Sequence, residues 1–228
     1  MEKILITGTS SGIGKFLAEK FSAKYKIFGI SRRKISECGE KFFGVEKNFF
    51  EIKGDLKKNS EIEKKILKLK KNFSDGQEDF YFDKIILNAG IGYFENFETM
   101  QNEEIFEILQ VNLLANIFLV KFFLDEKLIK KGGKIIFIGS KASKKFGKNG
   151  AVYIASKFGL RGFAGGLQKD LGRKIGIHLI NTKVVKTNFH KNSKTEIQGK
   201  FAETQIEKIF GACEEIFDEK EVGFEVDL

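Results

Sequence analysis

Tyr153 and Lys157 stand four residues apart in Ala151-Val152-Tyr153-Ile154-Ala155-Ser156-Lys157. In a helix that spacing puts both on one face. A free phenol titrates near about 10, too high for efficient proton exchange at neutrality, and a neighbouring ammonium favours its ionised form. The pair is therefore a candidate proton donor and acceptor. With 36 lysines and four tyrosines in the chain, the spacing alone carries little weight. Two polar residues upstream add to it. Ser140 closes the apolar run 134–139, thirteen residues before Tyr153, where a hydroxyl at a strand end can steady an oxygen that gains charge. Asn112 interrupts a long helical pattern in Gln110-Val111-Asn112-Leu113.

A second chemistry is written at the N-terminus. The apolar run 3–7 leads into Thr7-Gly8-Thr9-Ser10-Ser11-Gly12-Ile13-Gly14 and then a helical pattern. Glycines allow a tight turn and close approach of a diphosphate, and the helix start presents unpaired N–H groups and the positive end of its dipole. Ser10 and Ser11 add hydroxyl donors. The next strand ends in Gly29-Ile30-Ser31-Arg32-Arg33, so two of the chain's four arginines share one corner. Guanidinium forks match phosphate geometry.

The elements that must hold these groups alternate. Short apolar runs at 3–7, 26–30, 49–53, 83–88, 134–139 and 175–182 read as strands, with a further short strand at 223–226. Helical spacing covers 13–23, 60–72, 102–129, 150–172 and 203–217. Alternation of this kind predicts βαβ units. The expected fold class is α/β: one doubly wound Rossmann-type domain over 1–228, with a parallel sheet flanked by helices. Such sheets bind ligands at the carboxyl ends of their strands, where the strand order reverses.

With these motifs in this order, the chain resembles the short-chain dehydrogenase/reductase family from the first strand to about Phe189. The family's Thr-Gly-x3-Gly-x-Gly turn stands at Thr7 to Gly14, its Asn-Ala-Gly at Asn88-Ala89-Gly90, and its Asn, Ser, Tyr, Lys set at Asn112, Ser140, Tyr153 and Lys157. The resemblance implies a nicotinamide cofactor. It would be held by Gly8, Thr9, Ser10, Ser11, Gly12, Ile13 and Gly14, by Ser31, Arg32 and Arg33, by Asp55 and Leu56 at the adenine, by Asn88, Ala89 and Gly90, and by Tyr153 and Lys157. An acidic residue after the second strand would receive the ribose 2′-OH of NAD, whereas Ser31-Arg32-Arg33 suits a 2′-phosphate, so NADP(H) is expected in preference to NAD(H). The family's segment after the sixth strand reads Pro-Gly-x-Val-x-Thr. Here it is Thr182-Lys183-Val184-Val185-Lys186-Thr187, in which Val185 and Thr187 match and the proline and glycine do not.

The implied activity is reduction of a carbonyl (ketone, aldehyde or 3-oxoacyl group) to an alcohol by hydride transfer. Tyr153 would be the general acid, Ser140 would hold the substrate oxygen, Lys157 would also meet the nicotinamide ribose, and Asn112 would hold a water that relays protons. The alternative is a non-catalytic NADP(H)-binding regulatory protein on the same fold. Tyr93, Phe94, Phe97, Phe146 and Phe189 are expected to wall an apolar pocket, with a lid over 188–200. The glycine-rich helix 150–172 and the long helix before it would form a homodimer or homotetramer interface.

Composition narrows the field. The chain has 228 residues and a net charge of +9, with 42% hydrophobic and 31% charged residues and no proline. It can bury a sizeable core. The scattered lysines read as a solvated surface, with no nucleic-acid motif. Neither a signal peptide nor an unbroken apolar span is evident, so a cytoplasmic location without membrane attachment is expected. Cys38 and Cys213 with His178 and His190 lack metal-ligand spacing, and no metal is expected.

Overall fold

The computed structural model describes residues 1–33, 48–73, 79–171, 174–185, 187, 189, 205–218 and 222–228. Its seven strands are β1 (Lys3–Thr7), β2 (Lys26–Ser31), β3 (Phe49–Lys53), β4 (Phe82–Leu87), β5 (Ile129–Ser140), β6 (Gly176–Thr182) and β7 (Glu225–Asp227). They form one sheet in the order β3-β2-β1-β4-β5-β6-β7, with every neighbouring pair parallel. Growth of the sheet reverses between β1 and β4, which opens a crevice at their carboxyl ends.

Helices cover both faces, which is why the strands are continuously apolar. Alternation along β1 sends Leu5 to one layer, with Phe28, Ile85 and Phe137, and Ile4 and Ile6 to the other, with Ile27, Ile86 and Ile136. The first layer packs under α2 (Asn59–Phe73), α4 (Ala115–Asp125) and α5 (Ala151–Leu171). The second packs under α1 (Gly12–Phe21) and α6 (Ile206–Phe217). Many of the phenylalanines serve these layers. Phe28 stacks on Phe50 at 4.9 Å and meets Phe73, Phe80 and Phe82 edge-on. Cys213 is buried in α6, and burial pushes its thiol pKa up. Cys38 lies outside the described residues.

Two elements differ from the sequence expectation. The single helix expected over 102–129 is α3 (Asn102–Leu109), a π-helical turn (Gln110–Leu114) and α4, and it ends where Lys127 takes a positive φ of 51°. A π-turn inserts one extra residue into the helix and recurs at functional sites. Asn112 sits inside it. The strand expected at 134–139 begins at Ile129, and its register against β4 shifts between Phe82 and Lys84. The three lysines and two glycines of 130–134 hid that extension from apolar patterning. The stretch Asn102–Asp125 is long and apolar enough to cross a membrane by length and composition, with a mean hydropathy of 1.6 over its best window. Its Ala115, Leu119, Val120 and Phe123 are core residues against the sheet.

Candidate active site

The turn between β1 and α1 is shaped by close approach. Gly8 has φ +78° and Gly12 φ +57°, a region that side chains with a Cβ rarely occupy. A Cβ on Gly14 would lie 2.3 Å from the Gly8 carbonyl oxygen and 2.5 Å from the Asn88 amide nitrogen. Ser11 precedes α1 without capping it through its side chain, so the first amides of the helix keep no side-chain acceptor there. This is an anion cradle in geometry, and it fits a diphosphate. Thr9 turns inward instead: its hydroxyl is buried without a hydrogen-bond partner among the described residues, against the space over Gly29.

Asn88 stitches the crevice. Its Nδ2 donates to the Thr7 carbonyl (2.9 Å), and the Asn88 and Ala89 amides donate to Thr7 Oγ1 (2.9 and 3.0 Å). Thr7 opens the Thr-Gly-x3-Gly-x-Gly motif but was given no role of its own in the sequence reading.

A cleft of about 1610 Å³ runs from this turn across the strand ends. Ser31, Arg32 and Arg33 line one end with Asp55 and Leu56. Ser31 Oγ donates to the Arg33 carbonyl (2.6 Å), and Asp55 Oδ1 accepts from the Lys57 amide (3.0 Å), so both shape turns while the guanidinium groups reach solvent. At the other end lie Ser140, Tyr153 and Lys157, with Val185 and Thr187 from the segment after β6. Thr187 packs on the phosphate turn, 3.2 Å from where a Cβ on Gly12 would stand. The departure from Pro-Gly at Thr182-Lys183 therefore leaves Val185 and Thr187 in the cleft. Lys186 lies outside the described residues, as does most of the expected lid over 188–200.

Tyr153 and Lys157 share the inner face of α5, both nearly solvent-free. Lys157 Nζ donates to the Ile138 carbonyl (3.2 Å) and lies 5.9 Å from the centre of the Tyr153 ring. Ser140 accepts the Ala142 amide on its Oγ (3.1 Å), which leaves its own hydrogen for another acceptor. The expectation that Lys157 lowers the phenol pKa is corrected here. Burial pushes Tyr153 up to about 12 and outweighs the hydrogen bond with Ser140 that pulls the other way. Burial also lowers Lys157 to about 8.

Asn112 is a clamp. Its Oδ1 accepts the Ile91 amide (2.9 Å) and its Nδ2 donates to the Ile91 carbonyl (2.9 Å) and to Ser156 Oγ (3.0 Å). Ser156 in turn donates to the Tyr153 carbonyl (2.7 Å). The loop after β4 is thereby tied to the helix that carries the phenol. Ser156 and Asn116, whose Nδ2 donates to the Asn112 carbonyl (2.9 Å), are partners that the sequence reading missed.

Of the expected pocket aromatics, Phe94 and Phe189 flank Tyr153 with ring centres at 5.0 and 5.9 Å. Phe146 lines the rim, 88% exposed and stacked on Phe158. Tyr93 and Phe97 do not line the cleft. Tyr93 donates to Glu107 (2.5 Å), and Phe97 faces solvent.

Comparison with known proteins bears on the family and the fold. The chain is 32% identical over 218 residues to the 3-oxoacyl-[acyl-carrier-protein] reductase FabG of Buchnera aphidicola subsp. Acyrthosiphon pisum, covering 93% of this chain and 85% of that one. It is 27% identical to carbonyl reductase family member 4 of Xenopus laevis, covering 84% and 78%. In fold it is similar to an alcohol dehydrogenase from Thermococcus sibiricus, solved with 5-hydroxy-NADP, at a TM-score of 0.80 and 23% identity over 100% and 95% of the two chains. A family model described as short chain dehydrogenase matches residues 2–198, and the chain belongs to that family of oxidoreductases.

Proposed function

We propose that the protein is an NADP(H)-dependent reductase that converts a carbonyl to an alcohol, with Tyr153 as the proton donor. The observation that carries this reading is the meeting of Ser140, Tyr153 and Lys157 in the same cleft as the phosphate turn. Gly8 to Gly14 would hold the diphosphate, Arg32 and Arg33 the 2′-phosphate, and Val185 and Thr187 the nicotinamide end. When bound, the reduced nicotinamide supplies the hydride that the carbonyl carbon receives.

The chain's own groups handle the oxygen. A phenol held at about 12 stays protonated at physiological pH, the form from which an acid must start in the reducing direction. Ser140, whose Oγ accepts the Ala142 amide and whose hydroxyl meets the Tyr153 oxygen, turns its hydrogen to the substrate oxygen as charge develops there. Lys157 is the cation behind the phenol and steadies the phenolate left after proton transfer. Asn112 keeps the loop after β4 and α5 in register.

Substrate choice follows from the walls. Phe94 and Phe189 favour an apolar group beside the carbonyl. Lys141, Lys145 and Lys148 line the mouth, and none pairs with a carboxylate among the described residues. An apolar acyl body on an anionic arm, as in a 3-oxoacyl thioester, fits both features. The similarity to a 3-oxoacyl-[acyl-carrier-protein] reductase supports that choice. The assembly we infer is a homodimer. Phe106 and Phe118 are 73% and 49% exposed on the α3–α4 face, Leu114 is also exposed, and a Cβ on Gly162 or Gly166 of α5 would meet only open space.

The test is NADPH oxidation, followed by absorbance, on a panel of ketones, aldehydes and 3-oxoacyl thioesters. Turnover is expected on at least one class. Tyr153→Phe should abolish it and hold the NADPH Kd within about twofold, since the phenol is not part of the phosphate cradle. Binding of NADPH with no turnover on any class would favour the regulatory alternative.

A further inference from the structure

The C-terminal strand reaches both elements that carry the proposed acid–base set. β7 pairs with β6 so that Asp227 lies beside Asn181, and β6 pairs with β5 so that Asn181 lies beside Gly139 and Thr182 beside Ser140. Asn181 is fully buried. Its Nδ2 donates to Glu225 Oε1 (2.5 Å) and Asp227 Oδ1 (3.1 Å), and its Oδ1 accepts from Ser143 Oγ (3.1 Å). Ser143 belongs to the short turn that begins directly after Ser140. Lys144, the next residue, bridges Glu225 (3.0 Å) and Asp227 (2.8 Å).

Glu225 also holds α5. Arg161 grips it with a two-pronged contact, Nε at 2.8 Å and Nη2 at 3.0 Å. Arg161 stands one turn beyond Lys157 and two beyond Tyr153. The Arg161 fork holds the Glu225 carboxyl down to about 2, and Lys144 lowers Asp227, so both stay ionised at working pH. Two carboxylates and two cations balance. None of Ser143, Lys144, Arg161, Asn181, Glu225 or Asp227 lines the cleft.

We propose that Glu225 and Asp227 are positioning residues for the reaction: together they hold the Ser140 turn and the Tyr153–Lys157 helix at a fixed separation. The inference rests on the reductase reading above. Ser140 and Tyr153 must address one substrate oxygen, and a misplacement of about 1 Å in such a pair costs up to about 100-fold in rate. Lys157 ties α5 to β5 directly through the Ile138 carbonyl. The side chains of a three-residue strand add a second tie, outside the cleft.

Glu225→Gln keeps the shape and an acceptor for Asn181 but loses the charge that Arg161 and Lys144 grip. The expected result is a kcat lowered by about tenfold or more per folded molecule, with the NADPH Kd within about twofold, because neither Glu225 nor Arg161 lines the cleft that holds the phosphate turn and Arg32. Arg161→Lys, which keeps charge and loses the fork, should fall between the two. Combining Glu225→Gln with Arg161→Met should cost little more than Glu225→Gln alone, since both break one contact. A purely structural role would reduce the folded fraction and leave kcat per folded molecule unchanged.

Wild-type and Tyr153→Phe proteins run beside these variants. A wild type inactive on every substrate class, or a Tyr153→Phe protein that turns over, refutes the reductase reading. An active wild type with a Glu225→Gln kcat unchanged, or with kcat and NADPH affinity falling together, overturns the positioning role alone. If Glu225→Gln does not fold, Asp227→Asn carries the same measurement, because it leaves the Arg161 fork in place. A kcat lowered by about threefold or more at constant NADPH Kd supports the proposal, and an unchanged kcat overturns it.

Discussion

Replacing Lys157 by Met should stabilise the ligand-free protein while destroying its activity. Lys157 is buried, its hydrogen bond goes to the Ile138 carbonyl, and burial alone lowers its pKa from 10.5 to about 8. A lowering of that size corresponds to about 3 kcal/mol of unfavourable charge burial at neutral pH. Met matches the length of the stem and carries no charge. Losing the hydrogen bond to Ile138 returns about 1 kcal/mol, so the net gain is about 2 kcal/mol. For a chain of this size that raises Tm by about 4–8 °C.

The pH dependence has a definite sign. Between about 8 and 10.5 the unfolded chain binds the Lys157 proton more tightly than the folded one, so wild-type stability rises through that window. The penalty is complete below about 8 and gone above about 10.5, and the advantage of Met should shrink accordingly. Thermal unfolding followed by circular dichroism over that range, with NADPH turnover in parallel, tests both points. Turnover should fall by about 100-fold or more, since the phenolate loses its neighbouring cation. A Met variant that melts at or below the wild type near neutral pH would refute the reasoning. So would a gap that persists at high pH.

Two further outcomes are expected. Arg32→Ala should weaken NADPH by about 10- to 100-fold and NADH by less than about twofold, as the loss of one charge-assisted contact to a phosphate predicts; titration by cofactor fluorescence measures both, and equal losses would refute the 2′-phosphate assignment. Phe118→Glu puts a charge on the exposed α3–α4 face and should convert the proposed homodimer to a monomer by light scattering, whereas an unchanged dimer mass would place the interface elsewhere.

The order of elements was legible because strands buried on both faces read as short apolar runs, and helices between them keep a 3.6-residue period. The phosphate turn was legible for a similar reason: Gly8, Gly12 and Gly14 occupy positions whose backbone or neighbours leave no space for a Cβ. Local constraints of this kind act on residue types directly. Tyr153, Lys157, Ser140 and Asn112 were singled out by order and spacing, and the first three line one cleft.

What the sequence could not supply depends on distance and burial between remote segments. Nothing in Tyr153-x3-Lys157 says that desolvation dominates both groups, since that is set by how deeply α5 packs on the sheet. Nothing in Gln110-Val111-Asn112 shows that the asparagine grips Ile91 and Ser156, because the π-turn that aims it forms under packing from both sides. The contacts from Glu225 and Asp227 to Lys144, Arg161 and Asn181 span up to 83 residues of chain. Residue types and spacings marked the groups proposed for the chemistry. Only the assembled sheet decided how they are held and how they titrate, because hydrogen bonds and desolvation arise between segments that meet only in the folded state.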